Sequence, residues 1–287
     1  MSVSSVALIV NPRARRVDAA LRAAAVRALA DRGLESVLVT RASGDGTANE
    51  VAGAIAGGGT AMTALPAGGT NIFARALGWP AAPAFALEAL VHALARPRMR
   101  TLRLGELGLG PPGERASRVF CVNAGVGLDA ETVHLVEAHQ GLKRTLGQAG
   151  FILAAAKSFG RRARLATRVD GGEEMELATV VAACGAPYAY LGRRRLDLVP
   201  DAAFDGELEW LGLRRARPHE VAVIAARALD GGRHLEHPAL AHGFARDSIE
   251  IHSEPEAAVQ SDGEPLGRHA DIAIRPGPEI TTLAPPA

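Results

Sequence analysis

The 287-residue chain contains almost no lysine and very little cysteine. Only Lys143 and Lys157 are lysines, so arginine supplies nearly all the positive charge in a net charge of +1. A net charge this close to neutral gives no bulk electrostatic reason to expect nucleic-acid binding. The two cysteines, Cys121 and Cys184, each lie in an apolar, strand-like run. This placement favours buried thiols in a reducing cytoplasm over a disulfide or a metal site.

Two further absences concern membranes and nucleotides. No apolar run reaches the ~18 residues that a membrane-spanning helix needs. The apolar segment 6–10 is short and follows no basic residues, so we expect no signal peptide. The chain also lacks a Gly-Lys-Ser/Thr sequence, which argues against a P-loop kinase. Its length and its 48% hydrophobic content are typical of two globular domains.

One stretch has the residues of a phosphate-binding turn. Between a predicted strand at 36–40 and a predicted helix at 49–56 lies Ser43-Gly44-Asp45-Gly46-Thr47. Glycine lets a ligand approach the main chain, and the start of the helix offers free N–H groups to phosphate. An acid at such a turn favours a bridging Mg²⁺. The alternative interpretation is a tight turn in which Asp45 caps the helix.

The N-terminal third has the pattern of an α/β sheet. Strands are predicted at 6–10 and 36–40, with a helix over 17–32 between them. In such a unit the carboxyl ends of the strands form the ligand edge, so we expect Asn11 and Thr40 to lie beside Asp45. A second Gly-rich turn, Pro66–Asn71, comes before another predicted helix.

The rest of the chain reads as a mainly antiparallel β domain. Short strands and turns dominate after about residue 98, and helices are predicted at 131–139 and 147–159. We therefore predict an α/β domain over 1–98 and a β-rich domain over 99–287. Gly125–Ala130 fits a loose dinucleotide-binding pattern, but no regular βαβ unit follows it. The histidines at 234, 237 and 242 have no strong zinc spacing and are expected to be solvated loop residues.

These motifs resemble those of the diacylglycerol kinase catalytic-domain family, which includes bacterial lipid kinases and the sphingosine and ceramide kinases. Ser43–Glu50 is similar to the family's Gly-Gly-Asp-Gly-Thr-x-Asn-Glu, whose core NAD kinases share. Pro66–Arg75 is similar to Pro-x-Gly-Thr-x-Asn-x-Phe-Ala-Arg, although Gly69 stands where the family has threonine. Pro200–Leu208 resembles a segment that holds a structural Mg²⁺ in some members. Gln260–Glu264 resembles the Asp-Gly-Glu that supplies the general base.

The resemblance implies an NAD-kinase/diacylglycerol-kinase-like fold and ATP-dependent phosphorylation of a lipid hydroxyl at the membrane surface, with a diacylglycerol-like acceptor. It implies that Glu264 takes the hydroxyl proton, that Asp45 orients Mg²⁺–ATP and that Asp205 binds the structural metal. A hydroxyl is a poor nucleophile until its proton has an acceptor. The implied nucleotide-binding residues are Asn11, Thr40, Gly44, Asp45, Gly46, Thr47, Asn49, Glu50, Gly68, Gly69, Thr70 and Asn71.

Departures from the family pattern, such as that at Gly69, keep other functions open. The family has a further helix and strand between the Thr after its second strand and the Gly-rich motif, whereas only Arg41-Ala42 separates Thr40 from Ser43 here. The rival functions are an NAD kinase and a non-catalytic nucleotide- or lipid-binding relic. The expected location is the cytoplasm, at the inner face of the membrane for a lipid acceptor. The sequence leaves a homodimer open.

Overall fold

The structure is a computed structural model that describes residues 5–10, 18–40, 47–66, 71–138, 164–191 and 194–286. The chain divides into two compact units: Met1–Leu102 with Glu279–Ala287, and Arg103–Pro278. The predicted division into 1–98 and 99–287 did not anticipate that the C-terminal residues join the first unit. They do so because Thr281 and Thr282 pair in parallel with Ala61 and Met62.

The first unit begins with a parallel β–α–β arrangement. The first two strands pair in register from Ser5 opposite Glu35 to Val10 opposite Thr40. The intervening helix begins after Asp18, whose Oδ1 accepts a hydrogen bond from the Leu21 N–H at 2.7 Å. The elements are β1 (Ser5–Val10), α1 (Ala19–Ala30), β2 (Glu35–Thr40), α2 (Thr47–Ile55), β3 (Ala61–Met62), α3 (Ile72–Ala76) and α4 (Pro83–Ala95).

From β4 onward the chain is mainly antiparallel β-structure. One sheet path of the described residues runs β13-β12-β9-β6-β14-β15-β4-β5, with β3 and β7 pairing at its side. The elements are β4 (Met99–Leu109), β5 (Ala116–Phe120), β6 (Asn123–Gly127), α5 (Leu128–Ala138), β7 (Leu165–Val169), β8 (Met175–Leu177), β9 (Thr179–Ala183), β10 (Ala189–Leu191), β11 (Arg194–Leu196), β12 (Leu208–Leu213), α6 (Pro218–Ala228), β13 (Leu240–Ala245), β14 (Ile249–Ser261) and β15 (Glu264–Leu283).

The predicted fold class, an α/β domain followed by a mainly antiparallel β domain, is confirmed. The predicted helix at 131–139 corresponds to α5, whereas the one at 147–159 lies outside the described residues. Helix α6 was not predicted. None of the helices in the described ranges is long and apolar enough to span a membrane.

Three central strands of the β unit are buried along their whole length. Every residue of β6, β9 and β12 is buried, including the polar residues Asn123 and Glu209. Helix α6 covers part of the sheet through Ile224, which packs with Leu211 and Leu240. Cys121 and Cys184 are both buried and free, as their apolar surroundings predicted.

Candidate functional site

The Asp-Gly-Glu motif forms the tip of the hairpin between β14 and β15. Ser261 pairs with Glu264 across the hairpin, so Asp262 and Gly263 are its two turn residues. Both have positive φ, 47° and 81°. A two-residue turn with both central φ values positive matches the right-handed twist of the flanking strands, and Asp-Gly suits it because both residues tolerate this conformation. The turn places Glu264 at the first position of β15.

The Asp262 carboxylate fastens this tip to the segment that joins β5 to β6. Its Oδ2 accepts the Cys121 N–H at 2.6 Å, and its Oδ1 accepts the N–H groups of Val122 and Asn123 at 2.9 and 2.8 Å. The Asp262 N–H donates in return to the Asn123 carbonyl at 2.9 Å. Burial raises the pKa of the Cys121 thiol well above its usual value, and the nearby Asp262 charge adds to this effect.

Glu264 itself is held by an arginine from β5. The Arg118 Nη2 lies 2.6 Å from Glu264 Oε2, and 28% of the glutamate side chain remains exposed. The ion pair restricts the orientation of the carboxylate, while its exposure leaves room for a reacting group. The sequence analysis identified Glu264 but had no signal for Arg118, because a single arginine in an alternating run resembles any solvated strand residue.

A buried network of polar side chains is hydrogen-bonded to the hairpin turn. The Gln260 side-chain amide donates to Asp129 Oδ2 at 2.9 Å, and its oxygen accepts the Gly263 N–H at 2.9 Å. The Tyr188 hydroxyl donates to the other Asp129 oxygen. Burial raises the pKa of the Asp129 carboxyl and raises that of the Tyr188 phenol well above its usual value. The network thus joins the turn to α5 and to the chain preceding β10.

Packing accounts for Gly125, the first glycine of the stretch Gly125–Ala130 that fits a loose dinucleotide-binding pattern. The residue lies in antiparallel β6, and a Cβ there would fall 1.8 Å from the Asp129 Oδ2. The glycine is therefore required for side-chain packing beneath the hairpin.

The predicted metal ligand, Asp205, is an exposed residue in the turn before β12. Its Oδ1 accepts the Glu207 N–H at a long 3.4 Å. Among the described residues no group of three His, Cys, Asp or Glu side chains is placed to hold a metal ion. One carboxylate still fits a hydrated Mg²⁺, which proteins often bind through one or two carboxylates and water. The role of Asp205 stays a prediction.

The same loop is held by a buried carboxyl that the sequence did not single out. Glu209 is 4% exposed, and its Oε2 accepts the Asp201 N–H at 2.6 Å. Burial raises the pKa of Glu209 to about 7. The negative charges of Asp201 and Asp197 add to this shift, whereas the N–H groups of Asp201 and Ala202 oppose it.

We expect Glu209→Gln to alter the pH dependence of stability. Glu209 ionises near 4.5 in the unfolded chain and near 7 in the folded one. The wild type therefore loses stability as the pH rises through this window. Glutamine does not titrate, so the unfolding free energy of the variant relative to wild type should increase by roughly 1–3 kcal/mol from about pH 5 to about pH 8. Urea denaturation at both values measures it.

Glu174→Gln is the control for that experiment. Glu174 is a surface carboxylate, 54% exposed and 3.2 Å from Arg168. Its replacement should change the relative stability by less than about 0.5 kcal/mol at either pH, since exposed ion pairs contribute little. If the stability of Glu209→Gln relative to wild type also changes little between the two pH values, the raised pKa of Glu209 is contradicted.

The prediction that the three late histidines are solvated is wrong for His234. This residue is fully buried, and its Nε2 lies 2.9 Å from the Leu198 carbonyl oxygen. Burial lowers the pKa of the imidazole. His242 is exposed on β13 and His237 is half-buried. Proximity to Pro238 suggested a loop, but the fold packs this segment onto the chain between β11 and β12.

Most of the predicted nucleotide-binding residues lie outside the described residues: Asn11, Gly44, Asp45, Gly46, Gly68, Gly69 and Thr70. Of the others, Thr40 ends β2, and Thr47, Asn49 and Glu50 lie in the first turn of α2. Asn49 is buried, and its Nδ2 has no hydrogen-bond partner among the described residues.

Asn71 stands at the N-cap position of α3 with a positive φ of 52°. Its side chain makes no capping hydrogen bond to α3. The conformation itself suits asparagine, which tolerates the left-handed region better than most residues.

Comparison with known proteins places both parts of the chain in one family. Residues 10–101 match the diacylglycerol kinase catalytic domain, and residues 122–283 match the YegS C-terminal NAD kinase beta sandwich-like domain. Proteins named "Probable lipid kinase YegS-like" from Xanthomonas euvesicatoria and Xanthomonas oryzae are each 29% identical over 245 residues. That alignment covers 83% of this chain and 76% of theirs.

Solved structures share the fold. A structure described as a "putative diacylglycerol kinase" from Bacillus anthracis superposes with a TM-score of 0.69 at 20% identity, covering 99% of this chain and 97% of that one. A second diacylglycerol kinase structure from the same organism gives 0.62 at 18% identity, with the same coverage. Since the C-terminal family match alone spans more than half of the chain, and the Ser43–Glu50 motif lies inside the N-terminal one, this protein belongs to the diacylglycerol kinase-like family of lipid kinases.

Proposed function

We propose that this protein transfers the γ-phosphoryl group of Mg²⁺–ATP to the hydroxyl of a lipid, with a diacylglycerol-like molecule as the acceptor. The observation that carries the proposal is the hairpin tip, where Asp262 is bound by three main-chain N–H groups and Glu264 is presented on an ordered strand end. The family membership of the chain supports a kinase, and the names of its relatives support a lipid acceptor.

In this reaction Glu264 serves as the general base. The acceptor O–H loses its proton to the carboxylate, the oxygen forms a bond to the γ-phosphorus, and the bond to the β-phosphate oxygen breaks to release ADP. Such transfer relies mainly on positioning and charge stabilisation, because the protein makes no covalent intermediate. A carboxylate whose orientation is fixed by an ion pair and a clamped turn suits that role.

The nucleotide would bind at the two Gly-rich turns of the first unit. Main-chain N–H groups of Gly44–Thr47 and Gly68–Thr70 would hold the phosphates. Asp45 would orient the Mg²⁺, which supplies charge neutralisation at the phosphates when bound. The Asn49 amide is buried and has no hydrogen-bond partner in the described part of the chain, which supports a polar ligand or a polar loop there.

A lipid acceptor places the reaction at a membrane surface. ATP is a cytoplasmic substrate, so we propose that the enzyme works from the cytoplasm at the inner face of the membrane.

The direct test supplies the purified protein with γ-labelled ATP, Mg²⁺ and a mixed bacterial lipid extract, and with NAD in a parallel reaction. We expect label in a lipid and no NADP. Label in NADP would support an NAD kinase. Binding of ATP without label in either product would support a non-catalytic relic.

A further inference from the structure

Two arginine–glutamate pairs near β5 differ in how completely their hydrogen bonds are satisfied. Arg115 contacts Glu250 through both terminal nitrogens, at 3.1 and 2.5 Å, and its Nε donates to the Gly110 carbonyl at 3.4 Å. Arg118 contacts Glu264 through Nη2 at 2.6 Å. Its Nε is buried and has no partner among the described residues.

This difference affects what each arginine contributes to the stability of the fold. A buried N–H without an acceptor destabilises the folded state, because it loses its hydrogen bond to water. A side chain selected only to cross-link strands would avoid that cost, as Arg115 does with every nitrogen engaged. In Arg118 the Nε lacks an acceptor among the described residues, while the Nη2 contacts the Glu264 carboxylate. Buried groups left unsatisfied in this way call for an explanation other than stability.

Arg118 also lies on the segment that holds the rest of the motif. The N–H groups of residues 121–123 bind the Asp262 carboxylate, and Arg118, three residues earlier, binds the Glu264 carboxylate. The segment 118–123 therefore contacts the hairpin tip at two points. The first contact fixes the turn, and the second fixes the orientation of the Glu264 carboxylate, which remains partly exposed.

We propose that Arg118 is a positioning residue for Glu264, an inference that rests on the lipid kinase function proposed above. Its guanidinium orients the Glu264 carboxylate for contact with the incoming hydroxyl. General-base transfer needs the carboxylate oxygen within hydrogen-bond reach of the proton, so loss of this orientation slows transfer without removing the base. A lysine at 118 keeps the charge but not the planar geometry.

The test measures initial rates of label transfer from γ-labelled ATP to the mixed lipid extract for five proteins: wild type, Arg118→Met, Arg118→Lys, Glu264→Gln and the double variant R118M/E264Q. We expect Arg118→Met to lower the maximal rate by about 10–100-fold, with the lipid concentration at half-maximal rate changed by less than about threefold. The maximal rate of Arg118→Lys should be at least about threefold higher than that of Arg118→Met. The double variant should be no slower than Glu264→Gln alone, because the two residues act as one unit.

Arg115→Met is the matched control, since it removes another arginine–glutamate pair, three residues away in the sequence. It should stay within about twofold of wild type. Equal rates for Arg118→Met and Arg115→Met, equal losses for the Met and Lys variants, or additive losses in the double variant would each overturn the positioning role. A wild type that labels no lipid would instead reject the proposed function, and this inference with it. A wild type that is active while Glu264→Gln is also active would reject Glu264 as the base and Arg118 as its positioning residue.

Discussion

Glu264→Gln is expected to slow phosphoryl transfer to the lipid by a factor of about 10²–10⁴, the usual contribution of a general base. Glutamine has nearly the same shape and can still accept a hydrogen bond from Arg118, so the hairpin should keep its structure. It cannot take the hydroxyl proton, so the transfer loses its proton acceptor. The measurement is the initial rate of label incorporation into the lipid extract at saturating ATP.

Glu250→Gln controls for the loss of an arginine-paired glutamate. Glu250 lies on the same strand pair and binds Arg115 in a comparable ion pair. Its replacement should leave the rate within about twofold of wild type. If the two variants lose activity equally, or if Glu264→Gln retains full activity, Glu264 is not the base and the origin of the proton acceptor has to be sought elsewhere.

Asp262→Ala is expected to lower the free energy of unfolding by about 3–5 kcal/mol. Its carboxylate is the hydrogen-bond acceptor for the N–H groups of Cys121, Val122 and Asn123, all of which belong to buried residues. Each buried N–H left without an acceptor costs about 1–3 kcal/mol, and the three costs are not fully additive. Urea denaturation measures the change. Activity should fall as well, because the turn that presents Glu264 loses its anchor.

The chain contains an unusually close control in Asp170→Ala. Asp170 also precedes glycine, has a φ of 49° and accepts three main-chain N–H groups, from Arg246, Asp247 and Ser248, at 2.9–3.0 Å. Its own N–H donates to the Ser248 carbonyl, as that of Asp262 does to Asn123. The backbone cost of alanine at positive φ is therefore the same in both variants.

The difference between the two sites is exposure to water. The hydrogen bonds of Asp170 lie at an exposed position, where water can replace the lost carboxylate. Asp170→Ala should therefore cost only about 1–2 kcal/mol and leave lipid labelling unchanged. Equal destabilisation by the two variants would show that the turn conformation, and not the buried N–H groups, determines the contribution of Asp262.

The Asp-Gly-Glu motif could be recognised from sequence because it depends on a few neighbouring residues. Asp-Gly suits a two-residue hairpin turn wherever it occurs, and an apolar run such as 180–183 predicts a buried strand without knowledge of its neighbours. The resemblance to the diacylglycerol kinase family rests on such local stretches, and the family comparisons confirm it.

The supports of the hairpin could not be predicted in the same way. Asp129, Tyr188 and Gln260 are separated by 59 residues or more along the chain, yet they share one hydrogen-bonded network. The partner of Glu264 lies 146 residues away in sequence. Nothing in the local pattern around Arg118 distinguishes it from the exposed arginines that are common in this chain. The burial of His234 was missed for the same reason, since its acceptor lies 36 residues earlier.

The sequence by itself determined the fold class, because periodicity and turn chemistry are local properties. Its short motifs indicated the family, and the resemblance to that family implied Glu264 as the candidate base. Only the tertiary structure decided that Asp262 anchors the turn, that Arg118 holds the carboxylate and that the C-terminal residues join the first unit. These facts depend on which strands become neighbours in the sheet. Strand pairing brings together residues far apart in sequence, and the free energy that selects it comes from the burial of the whole core.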